Sequence, residues 1–402
     1  MKKGWEMKKL GDVCEKISRG ISPKYIENNG IIVLNQKCIR DHKINFELSR
    51  KHDYVNKSVN AEKHIRIGDV LVNSTGEGTL GRVAQVRDLP NQRITVDSHI
   101  SIVRPLKDKF FLDYFGWAMI FIENEIEESG AGASGQTELA RTVLENNFTL
   151  VYPKSLPEQK RIVSILEEAF AAINKAKANA EQNLKNAKEL FESYLQEVFE
   201  NRKLNWKEGK LLELASSITD GDHMPPPKAA SGIPFITISN IGKRNNQIDF
   251  SDTFSVSLNY YQKLKDNRKP KRGDILYTVT GSYGIPVLIE SDIEFCFQRH
   301  IGLIRPNENT NSKWLFYWIL SPQAIKQAHD TATGAAQKTV SLKALRNFVV
   351  PVMSTDQQET IVHKLDALST ETKKLETIYK QKINDLEELK KSVLQKAFSG
   401  EL

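Results

Sequence analysis

The second half of the 402-residue chain repeats the first half at an offset of about 200 residues, and this internal repeat limits the folds that the chain can adopt. The repeated features keep the same order and nearly the same spacing in both halves. Such a duplication predicts two copies of one domain, related by a pseudo-twofold axis. The matched pairs include Trp5 and Trp206, Gly68-Asp69 and Gly273-Asp274, His99-Ile100 and His300-Ile301, Arg104-Pro105 and Arg305-Pro306, and Gln159 and Gln358.

Each copy has the same internal order, a mixed segment of about 150 residues followed by a long helical segment. The mixed segments contain short aliphatic runs, such as residues 31–34, 70–72 and 100–103, separated by Gly, Asn, Asp and Pro, which is typical of β-strands and turns. The sequence therefore predicts an α+β chain with homologous mixed α/β domains at 1–156 and 201–353. Helical segments are predicted at 157–200 and 354–402, where Ser354-Thr355-Asp356 can supply an N-cap for the second helix.

The two helices are predicted over about 158–200 and 357–398, where no proline interrupts them. A helix of about 60 Å needs a partner, and apolar residues recur here by alternating steps of four and three, the coiled-coil period. Where the second helix is bulky the first often carries alanine, so we expect the two helices to pack against each other. The alternative is that each helix is buried on its own domain. The predicted seam contains Ile162, Leu166, Ile173, Leu190, Ile361, Leu365, Leu375 and Leu386, with polar positions at Asn183, Thr372 and Lys382.

Composition excludes several classes of protein. With 40% hydrophobic and 27% charged residues, the chain has the make-up of a folded protein. No apolar run approaches the roughly 20 residues of a membrane span, and the lysine-rich start does not resemble a secretory signal, so we expect a cytoplasmic protein without membrane contact. The net charge of +7 and pI of about 9.0 permit a polyanionic partner without requiring one.

Catalytic motifs are few and fail on their context. Residues 76–81 match the dinucleotide pattern GxGxxG, but a strand-like segment follows instead of the helix that the pyrophosphate requires. Copy two keeps only part of the pattern at 280–284, so both stretches are predicted to be glycine-rich hairpin loops. No P-loop, HExxH or GxSxG motif occurs, and three scattered cysteines favour neither a disulfide framework nor a metal site. His99 and His300 are expected to be structural. The sequence predicts no catalytic residue, no metal and no cofactor on this chain.

Polar and basic residues in the predicted turns indicate DNA binding. Cations such as Lys269, Lys271 and Arg272 suit phosphates, whereas Asn, Gln, Arg and Lys side chains suit base edges. A solvated basic face explains the charges equally well, but two DNA-reading domains on a rigid spacer would read two half-sites of double-stranded DNA. The candidate DNA-binding residues are Lys24, Asn35, Lys37, Arg40, Arg66, Thr75, Arg82, Gln136, His223, Lys228, Asn240, Lys243, Arg244, Lys269, Lys271, Arg272, Thr280, Gln337 and Lys338.

The chain carries a combination of motifs at Trp5 with 10–13, at 68–71, 156–163, 218–223, 226–228 and 232–236, and at the terminal 394–402. This combination resembles the DNA specificity subunits of type I restriction-modification systems and covers the whole chain. Copy one lacks the Asp-Gly-Asp-His box of copy two and carries Ser18 to Lys24 there. Copy two has Asp356-Gln357-Gln358 where copy one has Pro-Glu-Gln. These departures concern the variable base contacts.

The resemblance implies two target-recognition domains whose long helices form an antiparallel coiled coil. Each domain would read one half of a bipartite target, and the helices would set the spacer and dock methyltransferase (modification) subunits, one on each half. A motor-nuclease restriction subunit is a further partner that the family allows. S-adenosylmethionine, ATP and Mg²⁺ are then expected on the partner subunits. The alternatives are a stand-alone DNA-binding coiled-coil adaptor without methyltransferase partners and, less favoured, an enzyme that uses the glycine loop.

Overall fold

A computed structural model describes residues 2–90, 93–130, 138–200, 206–224, 226–242 and 245–402. Internal contacts divide the chain into two compact units. Unit 1 contains residues 1–179 and 382–402, and unit 2 contains residues 180–381. Each unit therefore holds one mixed domain together with one part of each long helix.

Unit 1 is built from short strands, three short helices and parts of both long helices. The strands predicted at 31–34, 70–72 and 100–103 are confirmed as β4, β8 and β11. The elements are β1 (Trp5–Lys9), β2 (Cys14–Arg19), β3 (Tyr25–Ile26), β4 (Ile31–Leu34), β5 (Ile39–Arg40), β6 (Lys43–Ile44), β7 (Arg50–His52), β8 (Val70–Asn73), β9 (Val83–Gln85), β10 (Ile94–Val96), β11 (Ile100–Pro105), α1 (Leu112–Phe121), α2 (Glu123–Ser129), α3 (Arg141–Asn147), β12 (Thr149–Pro153) and α4 (Leu156–Glu200), which continues into unit 2.

Among its described residues, unit 2 follows this order with fewer short strands and one added short helix before its central strand. Its elements are β13 (Lys207–Lys210), β14 (Ala215–Asp220), β15 (Ile233–Ile236), β16 (Phe254–Val256), α5 (Leu258–Lys263), β17 (Ile275–Thr278), β18 (Pro286–Leu288), β19 (Cys296–Phe297), β20 (Ile301–Pro306), α6 (Ser312–Leu320), α7 (Pro322–Thr331), α8 (Leu342–Arg346), β21 (Val349–Val352) and α9 (Thr355–Ser399), which continues into unit 1.

The two units share one sheet plan. A four-stranded antiparallel sheet has the order β2-β11-β8-β9 in unit 1 and β14-β20-β17-β18 in unit 2. A second sheet contains a parallel pair in each unit, β4 with β10 and β15 with β19. The first and last strands of each mixed domain pair with each other, β1 with β12 and β13 with β21. The duplication of the sequence is therefore a duplication of the fold.

The central strands are buried on both faces, which explains their unbroken aliphatic sequence. Side chains alternate between the faces of a strand, so Val70 and Val72 of β8 join the core beneath α1, while Leu71 joins the core between the two sheets. In unit 2, Ile275 and Tyr277 face the helices and Leu276 faces the second sheet. The second sheet thus closes one face of each unit and the helices close the other.

Each unit contains a buried ion pair made from the repeated Gly-Asp and Arg-Pro motifs. The Arg104 guanidinium donates to both carboxylate oxygens of Asp69 at 2.7 Å, and the two side chains are 4% and 1% exposed. Arg305 donates to Asp274 in the same way, with Nη2 at 2.8 Å. Each aspartate also accepts a hydrogen bond from the backbone N–H three residues before it. The pair therefore ties the turn before the central strand to the neighbouring strand of the sheet, β11 in unit 1 and β20 in unit 2.

Replacing Asp69 with asparagine is expected to lower the free energy of unfolding of unit 1 by about 3–5 kcal/mol, since the Arg104 charge would stay buried without a partner. The control is Arg141→Ala in the same unit, which removes a surface i,i+4 pair with Glu145 at 2.6 Å and should cost less than about 0.5 kcal/mol. Urea unfolding followed by tryptophan fluorescence measures both. Equal midpoints for the two variants would contradict this role of the buried pair.

The long helices are continuous over 45 residues each and begin slightly before the predicted positions. Serine side chains cap them, because Ser155 Oγ accepts from Glu158 N and Ser354 Oγ accepts from Gln357 N, both at 3.4 Å. The capping role predicted for Ser354 is confirmed. No helix among the described residues is long and apolar enough to cross a membrane.

Within each unit the two helices run antiparallel. In unit 1, Arg161 donates to the Leu402 carbonyl at 2.8 Å while Lys177 pairs with Glu387 at 2.5 Å, so advancing along α4 means going back along α9. Unit 2 has the same sense. Going forward along α4 from Phe191 to Phe199, the neighbouring ring changes from Tyr317 back to Trp314. Going forward along α9 from Gln358 to Asp366, the bonded partner changes from Asn311 on to Tyr317. The two helices therefore pass this segment in opposite directions. The helix parts also pack on the mixed domain of their unit, so the two predicted burial modes coexist.

Burial is uneven along the predicted seam. Ile162, Leu166, Ile173 and Leu365 are buried, and Ile361, Leu375 and Leu386 are half-buried. Leu190 is 50% exposed, and Asn183 and Lys382 are also exposed. The neighbouring Leu184 and Phe191 are half-buried instead, and Phe191 packs on the core of unit 2.

Candidate nucleic-acid interface

In both units, polar residues collect where the central strand ends and its antiparallel neighbour begins. Thr75 follows β8 and His99 precedes β11 in unit 1, and Thr75 Oγ1 lies 2.6 Å from His99 Nδ1. Thr280 and His300 hold the equivalent positions around β17 and β20. A later segment adds a bridge on the same side, Glu138 with Thr75 and Thr339 with Thr280. The duplicated fold therefore builds one polar surface in each unit.

In unit 2 this surface forms an open cleft of about 360 Å³. The backbone of Arg299 is fixed because its N–H donates to the Asp222 carbonyl at 3.0 Å. Its guanidinium makes no hydrogen bond or ion pair with the part of the chain that the structure describes. The cleft offers Arg and amide donors next to a carboxylate acceptor, the combination that suits base edges. The polar lining residues are Asp220, Thr280, Arg299, His300, Gln337, Thr339 and Ser341.

A charged network fixes the acidic wall of this cleft. Asp220 accepts from His223 Nε2 at 2.8 Å and from Arg268 at 3.3 Å, and Arg268 also lies 3.7 Å from Asp222. The Tyr260 hydroxyl donates to Asp222, and burial together with that carboxylate raises the pKa of Tyr260, so the hydroxyl stays protonated as a donor. The carboxylates are therefore held in place before any ligand arrives.

Unit 1 carries the opposite charge at the corresponding position. Arg19 pairs with Ser101 in the sheet register as Asp220 pairs with Gly302. Its guanidinium is already bonded, to the carbonyls of Ser98 and Leu139 at 3.1 and 2.7 Å and to the Glu138 carboxylate at 2.9 Å. The same fold thus presents chemically different surfaces in the two units.

The glycine-rich stretch of copy one is a hairpin loop, as predicted, because it joins β8 to the antiparallel strand β9. Gly76, Gly78 and Gly81 all have positive φ, which other residues rarely adopt. No helix N-terminus is available for a pyrophosphate at this loop. Arg82 Nη2 donates to the Gly78 carbonyl at 2.7 Å, so this candidate stabilises the loop. The described residues contain no group of three or more side chains that could hold a metal ion.

The copy-one candidates fall into two places. The turn of Lys37 and Arg40, both exposed, lies near the glycine loop, since Asn73 Nδ2 donates to the Gln36 carbonyl at 3.1 Å. Thr75 belongs to this group. Lys24 and Arg66 lie elsewhere, in ion pairs with Asp53 at 3.0 Å and Glu15 at 3.5 Å.

Two residues that were predicted to contact DNA bases instead form hydrogen bonds within the protein. Asn240 is 4% exposed, and its amide accepts from Thr237 and donates to the carbonyls of Asp249 and Asp252. Its predicted DNA contact is wrong, because no donor or acceptor of the side chain remains free. Asn35 caps the next turn by accepting from Lys37 N at 2.9 Å and donating to the Leu48 carbonyl at 3.2 Å. A side chain bonded at both ends is poorly suited to bidentate base contact.

The remaining copy-two candidates are placed as follows. Thr280 and the exposed Gln337 line the cleft, with Lys338 adjacent and exposed. His223 is exposed and bonded to Asp220, and the Lys228 ammonium lies 5.1 Å from the Phe254 ring centre. Gln136, Lys243 and Arg244 lie outside the described residues.

The basic stretch before β17 is not part of the cleft. Lys271 pairs with Asp266 at 3.0 Å and Arg272 lies 3.7 Å from Asp292. Lys269 is half-buried, donates to the Gln262 carbonyl at 3.1 Å and covers the Tyr261 ring. These residues precede the strand whose far end carries Thr280. Lys269, Lys271 and Arg272 therefore precede β17, whereas the preceding Arg268 reaches the cleft wall at Asp220.

Sequence reasoning missed Arg19, Arg299 and the position of the two histidines. His99 is exposed and His300 half-buried, both in turns at the polar surface and not within the strands. The repeat carried a usable signal, because both histidines sit directly before an aligned strand. Charge alone did not mark Arg299, which is isolated from the basic stretch in sequence.

Comparison with known proteins identifies the family. The model of the type I restriction modification DNA specificity domain matches the chain twice, over residues 2–183 and 203–388. The chain is 23% identical over 360 residues to the type I restriction enzyme EcoBI specificity subunit of Escherichia coli, a match that covers 83% of this chain and 73% of that protein. It is 20% identical over 318 residues to the MjaVIII specificity subunit of Methanocaldococcus jannaschii, covering 74% and 72%.

Solved structures share the fold. A chain from a study of complex assembly and conformational transition of the type I R-M system is 20% identical, with a TM-score of 0.78 over 100% of this chain and 99% of that one. The HsdS subunit from Thermoanaerobacter tengcongensis is 21% identical, with a TM-score of 0.65 over 100% and 98%. The chain therefore belongs to the type I restriction-modification DNA specificity family. It is a non-catalytic, sequence-specific DNA recognition subunit, and the adaptor and nucleotide-enzyme alternatives are not favoured.

Proposed function

We propose that each unit reads one half of a bipartite DNA target through the polar surface at the end of its central strand. The observation that carries this proposal is the contrast between Arg19 and Asp220, which occupy equivalent positions in equivalent sheets. A conserved scaffold with different polar groups suits two half-sites of different sequence. The long helices join the two units, so their length sets the length of the DNA spacer between the half-sites.

The chemistry on DNA belongs to partners in this proposal. Methyltransferase subunits, one for each half, bring S-adenosylmethionine, and a motor-nuclease subunit brings ATP and Mg²⁺. The 2–183 and 203–388 family matches and the names of the relatives support these partners. The chain itself works without a cofactor, in the cytoplasm where the chromosome is accessible.

A map of methylated adenines across the genome, made with and without this chain, tests the proposal. The expected result is one bipartite motif with a fixed spacer that disappears when the chain is absent. The chain should also co-purify with a methyltransferase. An unchanged methylation map would sink the proposal and favour a stand-alone DNA-binding protein.

Arg299→Ala is expected to relax base choice in one half-site, by about 1–3 kcal/mol if a bidentate contact is lost. Lys271→Ala combined with Arg272→Ala is the contrasting variant. If these cations contact phosphates, it weakens binding to all duplexes alike and lowers the salt slope by about one for each lost contact. Binding to cognate and single-base-changed duplexes across a salt series separates the two effects. The assignment is reversed if Arg299→Ala weakens every duplex equally while the double variant discriminates among them.

A further inference from the structure

One buried glutamine in each unit fastens the start of a long helix to the mixed domain. Gln159, with no exposed surface, lies in the first turns of α4. Its Oε1 accepts from Phe111 N at 2.8 Å, and its Nε2 donates to the carbonyls of Lys109 and Pro153 at 2.9 and 2.8 Å. The side chain therefore joins three segments, namely the helix, the turn before α1 and the end of β12.

Gln358 makes the same three bonds in unit 2. Its Oε1 accepts from Asn311 N at 2.7 Å, and its Nε2 donates to the carbonyls of Asn309 and Met353, both at 3.1 Å. The residue is 1% exposed. The partners occupy equivalent places, the turn before α6 and the residue after β21. Both joints between a domain and a long helix thus use one geometry.

These bonds constrain direction in a way that the neighbouring apolar contacts do not. Ile162 and Leu166 hold α4 on the core through non-directional burial, which tolerates a small rotation of the helix. A tilt of about 5° at the first turn would move the far end of a 45-residue helix, about 68 Å away, by about 6 Å. This displacement is perpendicular to the helix axis. One base pair more or less in the spacer also carries the far half-site sideways, by a turn of about 35° around the DNA, so a loose joint would let the far unit follow a spacer of the wrong length.

We propose that Gln159 and Gln358 are positioning residues that determine how narrowly the protein selects the length of the DNA spacer. This inference rests on the proposed function, because it requires two half-sites read by two units. The glutamines touch no DNA in it. They fix the angle between each mixed domain and the long helix that follows it. Only one separation of the half-sites then fits the DNA-binding surfaces of both units.

The two joints are not equally reinforced. In unit 2, Asp366 of α9 accepts from the Tyr317 hydroxyl at 2.6 Å and from Lys313 Nζ at 2.8 Å. The comparable ion pair in unit 1 is Arg87 with Glu167 at 3.6 Å, and both side chains are 50% exposed. Unit 1 adds an aromatic contact between Phe170 and Trp117, with ring centres 4.7 Å apart, but its described polar contact at Glu167 is longer, so the Gln159 variant should have the larger effect on direction.

The test uses the full chain with its methyltransferase subunits and three duplexes carrying the mapped target with the cognate spacer, one base pair fewer and one base pair more. The variants are Gln159→Met and Gln358→Met, which keep the side-chain volume and remove the bonds. We expect the preference for the cognate spacer to fall about five-fold or more for Gln159→Met and less for Gln358→Met. Discrimination against single-base changes within the half-sites should stay as in the unchanged chain.

Ile102→Val provides the control for a general loss of stability, because Ile102 lies in the core between the two sheets and away from the joint. Thermal unfolding places the variants on one stability scale. The inference is overturned if Gln159→Met keeps the spacer preference of the unchanged chain, or if Ile102→Val broadens it equally. If the complex with the unchanged chain methylates all three duplexes alike, the bipartite proposal itself fails.

Discussion

Insertion of one heptad into both long helices, near Ala180 in α4 and near Tyr379 in α9, is expected to lengthen the recognised spacer by about three base pairs. Each helix begins in one unit and ends in the other, and the insertion points lie near the borders between the units. Seven residues add about 10 Å to a helix and keep its inward face in register. Methylation at the original target should be lost, and methylation at the longer target should appear.

Genome-wide mapping of methylated adenines with the altered chain measures both changes at once. The control carries the heptad in α4 alone, which mismatches the lengths of two helices that share a core in each unit, and it should give no single new spacer. Continued methylation of the unchanged target by the doubly extended chain would show that the helices do not set the spacing.

Much of the fold could be predicted from the sequence because its signals are local and duplicated. The aliphatic runs at β4, β8 and β11 have the length and composition of buried strands, and two proline-free stretches of heptad character can only be long helices. The heptad spacing could not show that Leu190 is 50% exposed, because burial at this point of α4 is set by the core of unit 2, against which the neighbouring Phe191 packs. The antiparallel sense of the helices came from family resemblance and not from their spacing.

The candidate site was predicted less well, for a physical reason. A polar side chain in a turn has two uses, contact with a ligand or hydrogen bonding to the turn itself, and both favour the same residue types. Asn240 and Asn35 serve the turn, whereas Gln337 faces the cleft, and their sequence contexts do not distinguish them. Charge counting likewise favoured the Lys271 stretch, whose members are paired with acids, over the isolated Arg299.

Replacing residues 1–156 with the corresponding domain of a relative is expected to change one half of the bipartite target and leave the other half intact. Unit 1 builds its polar surface from its own segments, around Thr75, His99 and Arg19, and the cleft of unit 2 is lined entirely by residues 220–342. The exchanged domain need not carry the side chains of Lys109 and Phe111. Gln159 bonds only their main-chain atoms, which any domain of this fold supplies. The joint to α4 should therefore survive.

Methylated-adenine mapping of the exchanged chain should show a new first half, the old second half and the old spacer. Exchanging 201–353 by the same route is the reciprocal control and should change the other half. If either exchange altered both halves, the units would not read independently, and the contrast between Arg19 and Asp220 would lose its meaning as two separate choices of base. If one half of the target changed together with the spacer length, the exchanged domain would itself contribute to setting the spacer. The angle between domain and helix would then depend on more residues than the glutamine.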